Sequence, residues 1–302
     1  MIHLENDDGY AINIPASFHG YISMDVLEIG STSAVISVID EKTGEQFSAK
    51  IIPKTYIKLK KMYNQIATEI KVLKKVNHPN IVKFHEYFEF TNDIQETYLA
   101  IIMEYCENGD LLTYVNEEGF ESEEQKQKII KQFLNAIKYL HNRGIAHGDL
   151  KPENILLDSN YNVKLSDFGF SKTREIAGDE SKSGTLYYAA PELFEKGLFN
   201  TLKTDIWSIG ITLYCLNQNN FPYIMGDYEF IIDQITSQKF HLAKNVPNSL
   251  LQVFKRCTSC AEERPTIEEL MKDEYFNFDE KTSNNFNNDI EQSFSKCQNR
   301  YY

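Results

Sequence analysis

The hydrophobic pattern of this 302-residue chain changes near Gly109. Before that point, short β-branched runs separated by turn residues are typical of strands. After it, longer stretches with apolar residues three and four positions apart indicate helices. A chain of this length can form one large domain or two lobes that share a cleft. The sequence therefore predicts an α+β fold, with a small antiparallel-sheet lobe followed by a larger helical lobe.

Particular runs place the expected strands and helices. Val35–Asp40 and Phe47–Ile52 are strand-like runs on either side of a turn at 41–44, which is the pattern of a hairpin. Within 62–76, apolar residues recur at helical spacing with lysines on the other face. Further strands are expected at 81–89 and 98–105, and further helices at 122–141 and near 204–217, 226–237, 247–257 and 266–273. The first 105 residues are thus expected to be mostly sheet with one helix.

Composition narrows the class of partner. The formal net charge of −13 argues against nucleic acid and anionic membranes, because binding phosphates needs a basic surface. No stretch approaches the roughly 20 apolar residues that span a bilayer, and the first residues lack the apolar run of a signal peptide. A cytoplasmic monomer is expected, with the nucleus left open. The five cysteines predict free thiols, since the lone Cys257-x-x-Cys260 pair does not make a zinc ribbon.

One stretch, His147–Asn154, carries a high density of reactive side chains, and Asp167-Phe168-Gly169 follows it. Phosphoryl transfer needs an aligned hydroxyl, a metal ion on the phosphate oxygens and positive charge near the transferred group. Asp149 can accept a hydrogen bond from the hydroxyl, and Lys151 can neutralise the phosphate. Asn154 and Asp167 offer hard oxygen ligands that suit Mg²⁺. The sequence therefore predicts a site for phosphoryl transfer.

These two motifs resemble the catalytic loop and the magnesium motif of eukaryotic serine/threonine protein kinases. Lys50 is similar to the family's strand lysine, which binds the α- and β-phosphates, and Glu69 to the acid that orients it. Further motifs match in order, namely Ala190-Pro191-Glu192 at the end of the activation segment, Asp205–Gly210 in a buried helix that anchors the catalytic loop, and Arg264, which would pair with Glu192. The pattern looks nearest the calcium/calmodulin-dependent kinase group.

The resemblance implies the bilobal protein kinase fold over residues 18–276. The smaller lobe would span about 18–103 and the larger lobe about 107–276, with ATP and Mg²⁺ in the cleft between them. Residues 1–17 would then be an N-terminal extension. The tail at 277–302 is rich in Asn and Ser with few hydrophobic residues, a composition typical of disorder.

The resemblance also implies which residues contact the nucleotide. Met103 resembles the gatekeeper, and backbone groups of Glu104 and Cys106 are expected to bond adenine. Asp110 follows this hinge where relatives often place an acid that contacts ribose. The glycine-rich loop corresponds to Ile29, Gly30, Ser31, Thr32, Ser33 and Ala34, and further contacts are assigned to Ser48 and Leu156.

Two features imply serine or threonine as the acceptor. Lys151-Pro152-Glu153 has the serine/threonine form of the catalytic loop, and Thr185 would bridge Asp149 and Lys151. Asp110 and Glu153 are acids near the expected peptide groove, whereas Cys215 stands where strongly basophilic relatives often carry glutamate. The resemblance thus implies protein substrates with arginine three residues before the acceptor and weak selection nearer to it.

The chain departs from the family at two places. Its phosphate lid keeps only Gly30, and glycine is favoured there because the backbone lies over the phosphates, so a measurable but reduced ATP affinity is expected. Gly148 stands where most relatives carry an arginine that pairs with a phosphorylated activation-loop residue. Phosphorylation of that loop is therefore expected not to be strictly required. Candidate sites with another role are Ser171, Thr173, Ser181 and Ser183.

Two alternatives stay open at this point. A pseudokinase would use the same shape as a scaffold or allosteric partner, and the poor lid and Gly148 favour it. Against it stands an intact set of six polar residues, namely Lys50, Glu69, Asp149, Lys151, Asn154 and Asp167. A small-molecule phosphotransferase is a third hypothesis, which the segment at 184–192 disfavours because it looks built to hold an extended peptide.

Overall fold

The computed structural model of the chain describes residues 1–5, 9, 11–173, 185–195 and 199–276. In these residues an antiparallel sheet with two helices is followed by a mainly helical part. The α+β, two-lobed prediction is therefore confirmed. None of the helices in the described ranges is long and apolar enough to cross a membrane.

Eight strands occupy the first lobe. They are β1 (Ile2–Glu5), β2 (Ala11–Ile14), β3 (Ser17–Phe18), β4 (Tyr21–Ile29), β5 (Ala34–Asp40), β6 (Gln46–Pro53), β7 (Phe84–Thr91) and β8 (Thr97–Glu104). Six of them form one sheet in the order β3-β4-β5-β6-β8-β7, and β1 pairs with β2 as a separate hairpin. The predicted hairpin of β5 and β6 is confirmed.

Two helices follow β6 instead of the one that the sequence predicts. They are α1 (Lys54–Leu59) and α2 (Tyr63–Leu73). The 62–76 pattern is confirmed as α2, whereas α1 has only 6 residues, too few to show a helical period. Glu69 is buried on the side of α2 that faces the sheet.

The N-terminal hairpin of β1 and β2 covers the outer face of this sheet. Ile12 and Ile14 are fully buried in one cluster with Ile36, Ile51 and other residues of β5, β6 and β8. The backbone N–H of Asn13 also donates to the Tyr98 hydroxyl at 3.0 Å. Residues that the sequence assigns to an extension therefore complete the hydrophobic core of the first lobe.

We expect Ile14→Ala to lower the free energy of unfolding by about 2–4 kcal/mol, since it empties part of a fully buried site. Ile22→Ala is the matched control, because Ile22 is 40% exposed on β4, and it should cost less than about 1 kcal/mol. Urea unfolding of both variants measures the difference. A loss below about 1 kcal/mol in Ile14→Ala would mean that the hairpin contributes little to the stability of the lobe.

The second lobe is built mainly from helices. They are α3 (Leu111–Glu117), α4 (Glu123–His141), α5 (Thr201–Gln218), α6 (Tyr228–Thr236), α7 (Asn248–Cys257) and α8 (Ile267–Leu270). The two long ones, α4 and α5, lie where the sequence predicts them, and the Ser122 hydroxyl caps α4 by accepting from the Gln125 N–H at 3.1 Å. α3 was not predicted.

Short strands of the second lobe position the residues that line the cleft. They are β9 (Ile145–Ala146), β10 (Ile155–Leu157), β11 (Val163–Leu165) and β12 (Lys172–Thr173). β10 pairs with β11, and β9 pairs with β12. The catalytic loop thus runs from β9 to β10, and the Asp-Phe-Gly motif follows β11.

Candidate active site

Lys50 lies between two carboxylates at the back of the cleft. Its Nζ is 2.7 Å from Glu69 Oε1 and 3.0 Å from Asp167 Oδ1. Burial alone would lower the pKa of Lys50, but the charges of Asp167 and Glu69 outweigh it and raise that pKa, so the ammonium persists. Burial would likewise raise the pKa of Asp167, but Lys50 holds it at about 2. The site therefore presents a fixed cation with a paired, ionised Asp167.

The backbone around Asp167 is held in an unusual conformation. Asp167 has a φ of 54°, in the left-handed region, two residues after the end of β11. Phe168 is fully buried and packs edge-on against the His147 ring, with 5.1 Å between the ring centroids. The His147 Nε2 lies 2.8 Å from the Ser166 carbonyl oxygen. Packing of Phe168 and His147 thus aims the Asp167 carboxylate into the cleft.

Asp149 is 4% exposed, and neighbouring donors hold both of its carboxylate oxygens. Oδ1 accepts from the Thr185 N–H at 2.8 Å, and Oδ2 accepts from Asn154 Nδ2 at 3.1 Å. Lys151 Nζ lies 3.3 Å from Asp149 Oδ2 and donates to Thr185 Oγ1 at 2.8 Å. Thr185 therefore lies between Asp149 and Lys151, the position that the sequence predicts for it.

Asp205 of α5 fixes the catalytic loop by accepting hydrogen bonds from its backbone N–H groups. One carboxylate oxygen accepts from the His147 N–H at 2.8 Å and lies 2.9 Å from His141 Nε2, while the other accepts from the Gly148 N–H at 2.9 Å. Gly148 has a φ of +85°, and a Cβ there would lie 2.5 Å from the Phe170 carbonyl oxygen. Glycine fits this conformation, and a larger residue would require Phe170 to move.

The donors for a magnesium ion suit that metal. Asp167 supplies a carboxylate, and Asn154 supplies an amide oxygen because its Nδ2 donates to the Asp149 carbonyl oxygen at 2.7 Å. Mg²⁺ is commonly held by one or two protein oxygens together with phosphate oxygens and water. In the described ranges, no group of three His, Cys, Asp or Glu residues could hold a metal ion by itself. The arrangement fits a cation that is shared with a phosphate.

Several groups of the hinge region, residues 103–106, already form contacts within the chain. The Ser48 hydroxyl donates to the Glu104 carbonyl oxygen at 3.1 Å, with the Met103 carbonyl oxygen at 3.4 Å. Met103 and Cys106 are buried, and burial raises the pKa of the Cys106 thiol to about 12, so that thiol stays protonated. A further link, which the sequence did not reveal, is the ion pair between Glu104 Oε1 and Lys164 Nζ at 2.5 Å.

Two residues assigned to the nucleotide, Asp110 and Leu156, pair through an isolated antiparallel bridge. Asp110 is the N-cap of α3, and Thr113 donates to both of its carboxylate oxygens, through the N–H at 2.9 Å and the hydroxyl at 2.8 Å. Leu156 is half-buried between the fully buried Ile155 and Leu157, so it faces the other side of β10. A ribose contact by Asp110 would have to share its carboxylate with this cap.

The phosphate lid is a tight turn between β4 and β5. The Gly30 N–H donates to the Ser33 carbonyl oxygen at 2.9 Å, which leaves Ser31 and Thr32 at the tip. Ile29 pairs with Ala34, and Ala34 pairs with Ile51, which belongs to the outer-face cluster. The sequence predicts Ile29 and Ala34 at the nucleotide, whereas the register places this row on the opposite face.

Glu28 is the lid residue on the cleft side. It pairs with Val35, and Val35 pairs with Lys50, so the three side chains share one face of the sheet. A bulge between Val26 and Glu28 puts Glu28 on the cleft side of the sheet, because one extra residue in β4 reverses the alternation of faces. Sequence reasoning missed Glu28 because the bulge leaves no clear signal in the residues.

The end of the activation segment is tied to the helical lobe. Arg264 Nη1 and Nη2 donate to the two carboxylate oxygens of Glu192 at 2.5 and 2.8 Å, as predicted for this pair. Ser171 is 5% exposed and its hydroxyl donates to the His147 carbonyl oxygen, so the folded chain shields it from phosphorylation. The side chains of Thr173, Ser181 and Ser183 lie outside the described residues.

These features define a two-lobed fold whose cleft holds a lysine paired with two carboxylates and a loop fixed by hydrogen bonds to Thr185 and Asp205. The protein kinase domain family matches residues 21–276, and the chain belongs to that family. It is 34% identical over 256 residues to CBL-interacting serine/threonine-protein kinase 8 of Arabidopsis thaliana, which covers 82% of this chain and 55% of that protein.

Two further relatives give the same picture. The chain is 32% identical over 255 residues to CBL-interacting serine/threonine-protein kinase 26 of Arabidopsis thaliana, with 82% of this chain and 56% of that protein covered. It is 32% identical over 250 residues to CBL-interacting protein kinase 24 of Oryza sativa subsp. japonica, with 82% and 54% covered. The chain therefore spans a little over half the length of the curated relatives it matches.

Proposed function

We propose that this chain is a protein kinase that transfers the γ-phosphate of ATP to serine or threonine hydroxyls of protein substrates. The observation that carries the proposal is the convergence of Lys50, Asp149, Lys151 and Asp167 on one cleft, with the distances given above. The family match and the named serine/threonine kinases among the relatives support it.

Each side chain has a part in the proposed reaction that its contacts allow. Lys50, oriented by Glu69, binds phosphate oxygens of the nucleotide as a fixed cation. Asp149 accepts the hydrogen bond of the acceptor hydroxyl and orients it for in-line attack, while Lys151 stabilises the negative charge on the transferred group. Magnesium, held by Asp167 and Asn154, would supply positive charge to the phosphate oxygens.

Thr185 sets the preference for a short acceptor side chain. Its N–H and hydroxyl join the segment that would hold the peptide to Asp149 and Lys151, at 2.8 Å in both cases. We infer that this contact favours the short reach of an aliphatic hydroxyl over the longer phenol of tyrosine. The pseudokinase alternative finds no support, since all six polar residues of the expected set are intact and gathered at the cleft.

Glu153 supports the expected preference for a basic residue before the acceptor. Its Oε2 is buried and has no hydrogen-bond partner in the described part of the chain, and burial raises the pKa of Glu153. A buried carboxylate oxygen without a partner is costly, and a rotation of the Glu153 side chain towards the peptide would let a substrate guanidinium satisfy it. Both oxygens of Asp110 already bind Thr113, so Glu153 carries more of the selection.

We expect Glu153→Gln to reduce the rate advantage of arginine-containing peptides by about tenfold, because a charge-assisted hydrogen bond is lost. The readout is the ratio of kcat/KM for a peptide with arginine three residues before serine and for its alanine counterpart. The control is Glu121→Gln, which changes the same charge at an exposed position. An unchanged ratio in Glu153→Gln would assign the preference elsewhere.

A peptide-library assay with radiolabelled ATP and Mg²⁺ tests the proposed function as a whole. We expect phosphate on serine and threonine and none on tyrosine. Turnover of a sugar or aminoglycoside with no peptide phosphorylation would instead indicate a small-molecule phosphotransferase.

Calorimetric titration should show that this chain binds ATP more weakly than relatives with a full glycine-rich loop. The absence of any ATP binding at millimolar concentration would contradict the proposal.

A further inference from the structure

Glu28 places a carboxylate in the roof of the nucleotide site. Its strand partner Val35 is also the partner of Lys50, whose Nζ contacts Glu69 and Asp167 on the cleft side. Adjacent strands are about 4.8 Å apart, so Glu28 lies two strand spacings from Lys50 on the same face. No nucleotide contact was expected from Glu28 on the basis of the motifs.

The electrostatic surroundings of Glu28 agree with this placement. Glu28 is an exposed residue, but desolvation by the neighbouring atoms raises its pKa first of all, and the charge of Asp167 raises it further. Lys50 and Lys151 act on it in the opposite sense, and Asp110 in the same sense as Asp167. These four residues come from β6, the catalytic loop, the end of β11 and the cap of α3. Charges from all four of these elements therefore act on Glu28, in agreement with the face that the strand register gives it.

The cleft already has an excess of negative groups beside its two lysines. Glu69, Asp149 and Asp167 all lie within 3.3 Å of Lys50 or Lys151, and Glu28 adds a fourth carboxylate. A triphosphate that enters without a metal ion brings several more negative charges. Like charges in a partly desolvated site repel each other strongly, and a divalent cation removes most of that repulsion.

We propose that Glu28 acts as a selectivity residue that rejects metal-free nucleotide and so makes binding depend on the magnesium complex. The inference rests on the proposed function, since it concerns the same nucleotide. It works through repulsion of the unwanted form, which is a common way to gain specificity. Glu28 would determine which form of ATP binds in the cleft. The roles proposed above for Lys50, Asp149, Lys151 and Asp167 are unchanged.

The test compares wild-type protein with Glu28→Gln by isothermal titration calorimetry of the full chain. One set of titrations uses ATP with EDTA, and the other uses ATP with excess Mg²⁺. We expect Glu28→Gln to bind metal-free ATP about tenfold more tightly than wild type, and the magnesium complex only about twofold more tightly. Binding is measured directly, so phosphate transfer does not enter the result.

Asp25→Asn is the matched control. Asp25 is an exposed acid on the same strand, three residues before Glu28, so this variant makes the same charge change at a different position. We expect its affinities for both forms of ATP to stay within about twofold of wild type. An equal gain for both variants would mean that net charge acts at long range, which would overturn the role of Glu28.

Other outcomes separate this inference from the proposed function. Weaker binding of the magnesium complex by Glu28→Gln would mean that Glu28 holds the metal or the ribose, and unchanged binding in EDTA would mean that it does not face the phosphates. Either result overturns the selectivity role alone. If wild type and variant both fail to bind the magnesium complex, the proposed function fails and the inference fails with it.

Discussion

Asp149→Asn is expected to lower the rate of phosphate transfer by about a hundredfold or more while ATP affinity stays within about threefold of wild type. The amide keeps one oxygen that can accept from the Thr185 N–H, so the loop retains its shape. It loses the charge and the second acceptor that the hydroxyl of the substrate needs. Lys151, which lies 3.3 Å from Asp149 Oδ2, also loses its anionic partner.

Three measurements distinguish a catalytic from a structural effect of Asp149→Asn. Single-turnover transfer of radiolabelled phosphate gives the rate, calorimetry gives the ATP affinity, and thermal unfolding gives the stability. Asp233→Asn is the control, since Asp233 is exposed on α6 and should change none of them. Retention of more than about a tenth of the rate would show that Asp149 does not position the hydroxyl, and parallel losses of affinity and stability would point to misfolding.

The catalytic loop could be predicted because its functional residues lie close together in the sequence. Asp149, Lys151 and Asn154 lie within six positions, and the contacts among them are local. The long helices α4 and α5 could also be predicted, since a helical pattern over 19 and 18 residues is hard to mistake. Local chemistry and long periodic patterns are thus the features that a sequence reveals best.

The short elements were less predictable, because they depend on their neighbours and on long-range packing. α1 and α3 have 6 and 7 residues, and each is set by what precedes it, β6 in one case and the Asp110 cap in the other. The hairpin of β1 and β2 is stable only against the outer face of a sheet that is formed much later in the chain. No sequence motif in the hairpin indicates that it packs on this sheet.

The lid shows most clearly how one residue of register changes a site. Strict alternation along β4 would put Val26 and Glu28 on the same face, yet Val26 pairs with Ile36 and Glu28 pairs with Val35. The bulge between them moves Glu28 to the cleft and Ile29 to the outer face. A family motif predicts where the lid is, but the register decides which side chain lies on the cleft face of the sheet.

Arg264→Met is expected to lower the free energy of unfolding by about 3–5 kcal/mol, because it leaves a largely buried carboxylate without its partner. The guanidinium of Arg264 donates to both oxygens of Glu192 and lies 5.0 Å from the centre of the Trp207 ring. It also donates to the carbonyl oxygens of Ser259 and Lys203 at 2.9 and 3.0 Å. Methionine fills much of the space but satisfies none of these acceptors.

Arg256→Met and a double variant show whether the loss comes from the buried pair. Arg256 pairs with Asp273, but its side chain is 45% exposed, so its loss should cost less than about 1 kcal/mol. Adding Glu192→Met to Arg264→Met removes the unpaired charge and should restore part of the stability. Equal losses in the two arginine variants, or no recovery in the double variant, would contradict this account. Recovery would show that most of the loss in Arg264→Met comes from leaving the Glu192 carboxylate buried without its partner, and not from the space left by the guanidinium.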